Sequence, residues 1–181
     1  MTDFLPKDYE VPDKPGNYMK LEQGENRLRI LSAPILGRER WADDKDGNRK
    51  PVRTRMDDDL TPDEFEESKH FWAMVIWNYE IKAVQILQIT QSTIQKPLTA
   101  LAKSKDWGDP KGIDGYDIVI TKAGEKLETE YQVMPQPKKK IDEGIIKMAE
   151  DMNIKLEALF ENEDPFGSES EDLAKEVAKK V

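Results

Sequence analysis

The chain has 181 residues, no cysteine, 37% apolar and 36% charged residues, and a net charge of −9. This composition excludes disulfides, thiol chemistry and cysteine-ligated zinc, and it leaves one modest core with long solvated segments. No apolar run approaches a membrane span and the N-terminus has neither a basic start nor an apolar stretch, so the sequence reads as a cytoplasmic protein without a signal peptide.

Residues 1–25 hold three prolines and no sustained periodicity, which predicts a partly ordered arm. Order is expected from Asn26, where Arg27 out, Leu28 in, Arg29 out, Ile30 in is the two-residue alternation of a half-buried strand. A second basic strand over 38–42, the turn dipeptide Asp46-Gly47 and a third strand over 51–55 follow. Thr61-Pro62-Asp63-Glu64 is a capping box with proline at the first helical position, predicting a short acidic helix over 62–68. Residues 70–80 and 83–90 are apolar on both alternating faces, as in the central hairpin of a closed or strongly curled sheet. Phe71, Ala73, Val75, Trp77 and Tyr79 share one face of the first strand, and His70, Trp72, Met74, Ile76 and Asn78 the other; one of these faces must be core, so about half of these aromatics are structural.

Ile94, Leu98 and Leu101 recur at helical spacing, with Pro97 requiring a helix start near Thr93 or a kink. Strands are expected over 116–121 and 128–133, then a linker with a lysine run over 134–140. Ile145, Met148, Ala149 and Met152 mark a helical stripe that Leu156, Leu159 and Phe160 continue, and from Glu161 the chain reads as an acidic flexible tail. The implied division is an arm (1–25), a core (26–134), a linker and helix (135–160) and a tail (161–181). Several short strands around one helix, with no strand-helix alternation, predict a mainly β, α+β fold, an OB-like Greek-key barrel with a C-terminal helical segment.

Charge is segregated along this order. All seven arginines fall between Arg27 and Arg55, a stretch with nine basic against four acidic residues, whereas 141–181 has five basic against twelve acidic. Guanidinium groups grip phosphate as planar forks, so Arg27, Arg29, Arg38, Arg40, Arg49, Arg53 and Arg55, with Lys50, are candidate backbone contacts. Trp41, Trp72, Trp77 and Tyr79 are candidate stacking residues, since cations that track the backbone and aromatic faces that stack on bases together bind single-stranded nucleic acid. Catalytic signals are weak. Aligning Gly47 with an EF-hand glycine leaves Ala42 and Arg53 at the positions that need carboxylates, Asp57-Asp58-Asp59 cannot converge from one strand, and His70 stands without a catalytic partner. Neither an enzymatic activity, a metal nor a cofactor is therefore expected.

The stretch HFWAMVIWNYEIKAVQILQITQSTIQKPL, the later WGDP…YDIVITKAGEKLETEYQVMP and the NIKLEALF…EDPF end resemble the OB-fold single-stranded-DNA-binding proteins of tailed bacteriophages. The resemblance implies a protein that coats single-stranded DNA in phage replication, recombination or repair through a basic, aromatic-lined cleft. It also implies a C-terminal acidic segment that recruits replication or recombination proteins, a role that would fall to Glu161, Glu163, Asp164, Pro165 and Phe166. Self-association is compatible with this family. A protein-interaction adaptor without nucleic-acid binding is the alternative, and a metal-dependent nuclease using residues 57–59 a more distant one.

Overall fold

The computed structural model describes Phe4 and residues 16–167. Its sheet comprises β1 (Gly24–Ile30), β2 (Ile35–Asp43), β3 (Arg49–Arg55), β4 (Lys69–Asn78), β5 (Ala83–Ile89), β6 (Ile118–Ala123) and β7 (Glu130–Pro135). Helix α1 (Pro62–Glu67) precedes β4, α2 (Ser92–Lys103) joins β5 to β6, and α3 (Glu143–Met152) follows β7. All strand pairs are antiparallel, giving a mainly β, seven-stranded sheet with a few helices.

Strand β4 organises this sheet. One of its edges carries β5 from Trp72 to Asn78. The other is shared: β2 pairs with the first half (Glu39 with Lys69 through Ile35 with Ala73) and β1 with the second (Ile30 with Ile76 through Leu28 with Asn78). So β1 and β2 run in the same direction along one edge, as a long strand broken at Leu31–Pro34. The break stays attached, because Leu31 N donates to Val75 O and Val75 N donates to Ser32 Oγ. Strand β6 takes the free edge of β1 and β7 pairs with β6, while β3 pairs only with β2 and carries the hairpin away from the rest.

Local chemistry sets the element ends. Glu64 N donates to Thr61 Oγ1 and Thr61 N donates to Glu64 Oε1, a complete capping box with Pro62 at the first turn of α1. In the β2–β3 turn Asp44 Oδ1 accepts from Asp46 N and Asn48 N, and Gly47 supplies φ +81°. Asp142 caps α3, which ends where Asn153 turns left-handed.

Both faces of β4 are core, each for a different reason. Met74 and Ile76 point to the concave side with Leu28, Ile30, Leu87, Ile89, Ile118 and Ile120, closed by Ile94 and Leu98 of α2. Phe71, Ala73, Val75 and Trp77 point outward, where the C-terminal segment covers them with Ile145, Ile146, Ala149 and Met152 of α3 and then Ile154, Leu156, Leu159 and Phe166. The apolar side of α3, with Ile146 in place of the exposed Met148, is thus a second, half-buried layer on the sheet's outer face, and each of its side chains contributes less than the about 1.5–3 kcal/mol of a fully buried one.

Two sequence expectations are corrected and one is given detail. Of the partly ordered arm expected over 1–25, residues 16–25 are placed: Met19 is buried, and Met19 N donates to Ile86 O while Ile86 N donates to Asn17 O, a parallel bridge on the outer edge of β5; of residues 1–15 all but Phe4 lie outside the described residues. The unpaired edge of a central hairpin needs such a partner. Residues 136–140 are not a loose linker, because Gln136 N is bonded to Asp117 O and Lys139 O to the Arg29 side chain. Residues 161–167 are not a free tail, since Pro165 and Phe166 are buried; the expected tail over 168–181 lies outside the described residues. No helix among the described residues is long and apolar enough to cross a membrane.

Candidate nucleic-acid interface

Strand register divides the arginines between two surfaces. Partners across a ladder share a side, so Arg38 and Arg40 of β2 lie with Lys50 of β3 and with His70 and Trp72 of β4. Trp41 of β2 lies on the opposite, outward face, with Arg49, Arg53 and Arg55 of β3 and Phe71 of β4. Arg27 and Arg29 of β1 extend that outward face, Arg29 being opposite Trp77.

On the first surface α1 covers the cations. Arg40 pairs with Glu64 at 2.7 Å, and its Nε is buried without a hydrogen-bond partner among the described residues. The hydrogen bonds with Thr61, and then the Arg40 charge, hold the Glu64 carboxyl below the usual range. Arg38 stacks 4.0 Å above the Phe65 ring and donates to Ser68 Oγ at 2.6 Å. Trp72 is half-buried against the concave core, its Nε1 donating to His70 Nε2 at 2.9 Å, a bond that puts the proton of neutral His70 on Nδ1, facing Gly37 O. Lys50 is exposed and pairs with Asp44 at 3.1 Å.

The outward face of the hairpin has a different character. Trp41 is 52% exposed and opposite Pro51, so Arg49 and Arg53 are its two diagonal neighbours in the ladder. A groove of about 470 Å³ lies beside it, lined by Trp41, Ala42, Asp43, Arg49 and Glu67. Arg49 is exposed and makes no ion pair among the described residues. Arg53 donates to Glu39 at 3.0 Å and to Gln88 at 3.2 Å, lies 5.2 Å from the Phe71 ring centre, and borders a second groove of about 440 Å³ with Tyr18 and Gln88. Tyr18 was not among the residues expected from sequence. It is 41% exposed, stands edge-on to Phe166, and has its hydroxyl pKa raised by burial against the opposing pull of Arg53. Arg55 stacks 4.8 Å from Phe160 and pairs with Glu161 at 3.2 Å and Glu157 at 3.8 Å.

At the far end of the same face Arg27, Arg29 and Tyr79 converge on Asp117. Arg27 reaches Oδ2 at 2.8 Å, Arg29 Nε reaches Oδ1 at 2.8 Å, and the Tyr79 hydroxyl donates to Oδ1 at 2.7 Å. Burial raises the Asp117 pKa, but the Tyr79, Arg27 and Arg29 bonds outweigh it and leave the carboxyl below its usual value. Burial first, then Asp117, pushes the Tyr79 phenol up to about 12. The sequence signal for this cluster is a lone acid inside an apolar strand run, YDIVI, where only a charge partner makes burial tolerable.

Several expected contacts are therefore corrected. Arg29 is 1% exposed and spends its remaining donors on Gly112 O and Lys139 O, so it is a structural cation. Trp77 is 8% exposed beneath the C-terminal segment, and packing there leaves no face for a base. Pro165 is buried and its carbonyl accepts from Lys155 N, while Phe166 packs with Phe71, Ala73, Ile86 and Leu159. Of the expected partner-binding residues, Glu161, Glu163 and Asp164 are exposed, with Glu161 engaged by Arg55 and Asp164 Oδ1 by Phe166 N. Asp57, Asp58 and Asp59 occupy the turn after β3, where Asp58 Oδ2 accepts from Arg55 N. No group of three or more acidic or histidine side chains among the described residues is placed to hold a metal ion. Comparison with protein-family models, curated proteins and solved structures gives no match to this chain.

Proposed function

We propose that this protein binds single-stranded DNA with little sequence preference, as a coating protein of phage replication, recombination or repair, on an OB-type barrel. Support for the barrel type comes from pairing order. If β1 with its continuation β2 is the first strand, then β4 and β5 follow as a hairpin, α2 intervenes, and β6 and β7 return to β1, which is the five-strand Greek-key order with β2–β3 as an extended hairpin. The observation that carries the function is Trp41, half-exposed on the hairpin and lining one groove with the exposed Arg49, which makes no ion pair among the described residues. A ring beside a cation stacks a base while the cation holds an adjoining phosphate, and neither contact reads base edges. Recruitment of replication or recombination proteins through the acidic C-terminal region stays part of the proposal; its exposed Glu163 and the acids beyond Gly167 are the groups to test.

The experiment is fluorescence titration with oligo(dT). Trp41 is the most exposed tryptophan, so stacking should quench it and Trp41→Phe should remove that quench while leaving the melting temperature unchanged. Quenching that persists in Trp41→Phe places the bases elsewhere. A second reading, a protein-interaction adaptor, is favoured by one observation: six of the seven arginines already have internal partners. An adaptor gives neither quenching nor salt-dependent binding.

A further inference from the structure

Among the described residues, one run of three consecutive cations lies away from the arginine hairpin. Lys138, Lys139 and Lys140 are all exposed, and none makes an ion pair among the described residues. Asp142, the nearest acid along the chain, is turned to its own helix, where Oδ1 accepts from Gly144 N at 2.7 Å.

A lysine run after two prolines is ordinarily a solvated linker, but this one is fastened at three points. Gln136 N donates to Asp117 O at 2.9 Å, the buried Arg29 donates to Lys139 O at 2.5 Å, and Ile141 is buried with its N–H on Ile113 O at 3.4 Å. Burying a guanidinium is costly, and an apolar residue of similar size often serves stability as well. Here the buried charge holds a short backbone segment so that three consecutive lysines stay exposed, and the same segment is bonded through Gln136 to Asp117, the partner of the half-exposed Arg27. Like charges held close repel one another, and a polyanion that displaces their counterions relieves that repulsion. Because the segment is already ordered, little conformational entropy is lost on binding.

We infer that Lys138, Lys139 and Lys140, with Arg27, form a second phosphate-binding ridge for the same nucleic-acid strand that stacks on Trp41; this rests on the proposed function. The two contact regions lie towards opposite ends of the sheet's outward face. Trp41 stands two residues of β2 beyond Glu39, the partner of Lys69, and Arg27 stands over Tyr79, so the two regions are about twelve strand positions apart, or about 40 Å at the rise of a strand. Between them the outer face is filled by α3 and the segment to Phe166, so the strand passes along the flank of that layer. At about 3.4 Å per stacked nucleotide, roughly twelve nucleotides are needed to reach from one region to the other. A strand shorter than that engages the hairpin alone.

The test compares the unchanged protein with the triple variant Lys138→Ala, Lys139→Ala, Lys140→Ala, using Trp41 quenching by five- and twenty-nucleotide oligo(dT) across a salt series. Removing three phosphate contacts should make the salt slope for the twenty-mer shallower by about 2, at about 0.7 per contact on a single strand. Quenching by the five-mer should be the same for both proteins. An unaltered twenty-mer slope overturns the ridge while leaving the hairpin site standing. Equal loss for both lengths also overturns it, because the lysines would then act as a diffuse field. Absence of quenching by either oligomer in the unchanged protein overturns the proposed function, and the ridge with it. All three side chains are exposed, so melting temperatures should coincide.

Discussion

Replacing Asp117 by Asn isolates the charge cluster that ties β1 to β6 and to the lysine segment. The variant keeps the shape of the side chain and removes the charge that compensates Arg29, which is 1% exposed, and the half-exposed Arg27. Removing one partner of a buried ion pair costs about 3–5 kcal/mol, because the remaining charge stays buried and uncompensated. Arg29 keeps its carbonyl acceptors on Gly112 and Lys139, which favours the lower end of that range. For a chain of this size each kcal/mol moves the melting temperature by about 2–4 °C, so a drop of about 6–20 °C is expected in thermal melts followed by circular dichroism at neutral pH. Arg27→Ala, by contrast, removes a partly solvated pair worth about 0–1 kcal/mol. The pH dependence has a definite sign. The folded Asp117 pKa is lowered, so its contribution is complete above the unfolded value of about 3.9 and is lost as pH falls through the folded value. The gap between the two proteins should therefore narrow in acid. A variant melting within about 2 °C of the unchanged protein, or curves that stay parallel down to about pH 2, would show that Arg29 is not held by this charge.

Three further outcomes follow from the packing. Phe166→Ala should cost about 3–5 kcal/mol in denaturant unfolding, because the ring is buried with Phe71, Ile86 and Leu159; a change below about 1 kcal/mol would mean that the segment peels away at little cost. Gly37→Ala should destabilise by about 1–3 kcal/mol, since an added Cβ meets the Thr54 carbonyl of the paired strand and stands 2.7 Å from the Phe160 ring, and a neutral melt would refute that clash. Glu157→Gln with Glu161→Gln should tighten oligo(dT) binding by up to about fivefold at low salt, as Arg55 is released from exposed pairs worth at most about 1 kcal/mol, and the gain should fade as salt rises. Unchanged or weaker binding at low salt would exclude Arg55 from the contact.

What was legible in the sequence depended on the range of the interaction. The capping box at Thr61–Glu64, the turn containing Gly47 and the two-residue alternation of β4 are decided by residues a few positions apart, and their elements lie within a few residues of the expected bounds. Arg29 illustrates what was out of reach. Alternation correctly sends it to the side opposite Leu28, but whether that side meets water depends on Gly112 and Lys139, which follow by 83 and 110 positions. The aromatics of β4 pose the same difficulty: alternation requires only one apolar face to be core, and it is α3 and Phe166, distant in sequence, that occupy the other. Phe166 sits in an acidic run whose composition suggests solvation, and only its packing on Phe71 and Ile86 reveals a core residue. Tyr18 lies in a proline-rich arm without periodicity, so its place beside Arg53 depends on the bridge to Ile86.

Charge counting along the sequence also gave the arginines more freedom than the fold leaves them. Glu39, Glu64, Asp117, Glu157 and Glu161 each hold a guanidinium, so on the proposed function a phosphate at Arg40 or Arg55 replaces a carboxylate instead of meeting a bare cation. Such an exchange conserves charge pairs, and its gain is small because a carboxylate must be returned to solvent. Exchange of this kind discriminates poorly among anions but demands that the replacing strand fit the geometry the carboxylates already satisfy. On the proposed function, the steep part of the salt dependence is expected from cations with nothing to release but counterions, among them Arg49 on the hairpin and the lysines fastened by Arg29. Replacing Trp41 should accordingly lower affinity by a similar factor at every salt concentration, whereas replacing Lys138, Lys139 and Lys140 should lower it most at low salt and flatten the slope.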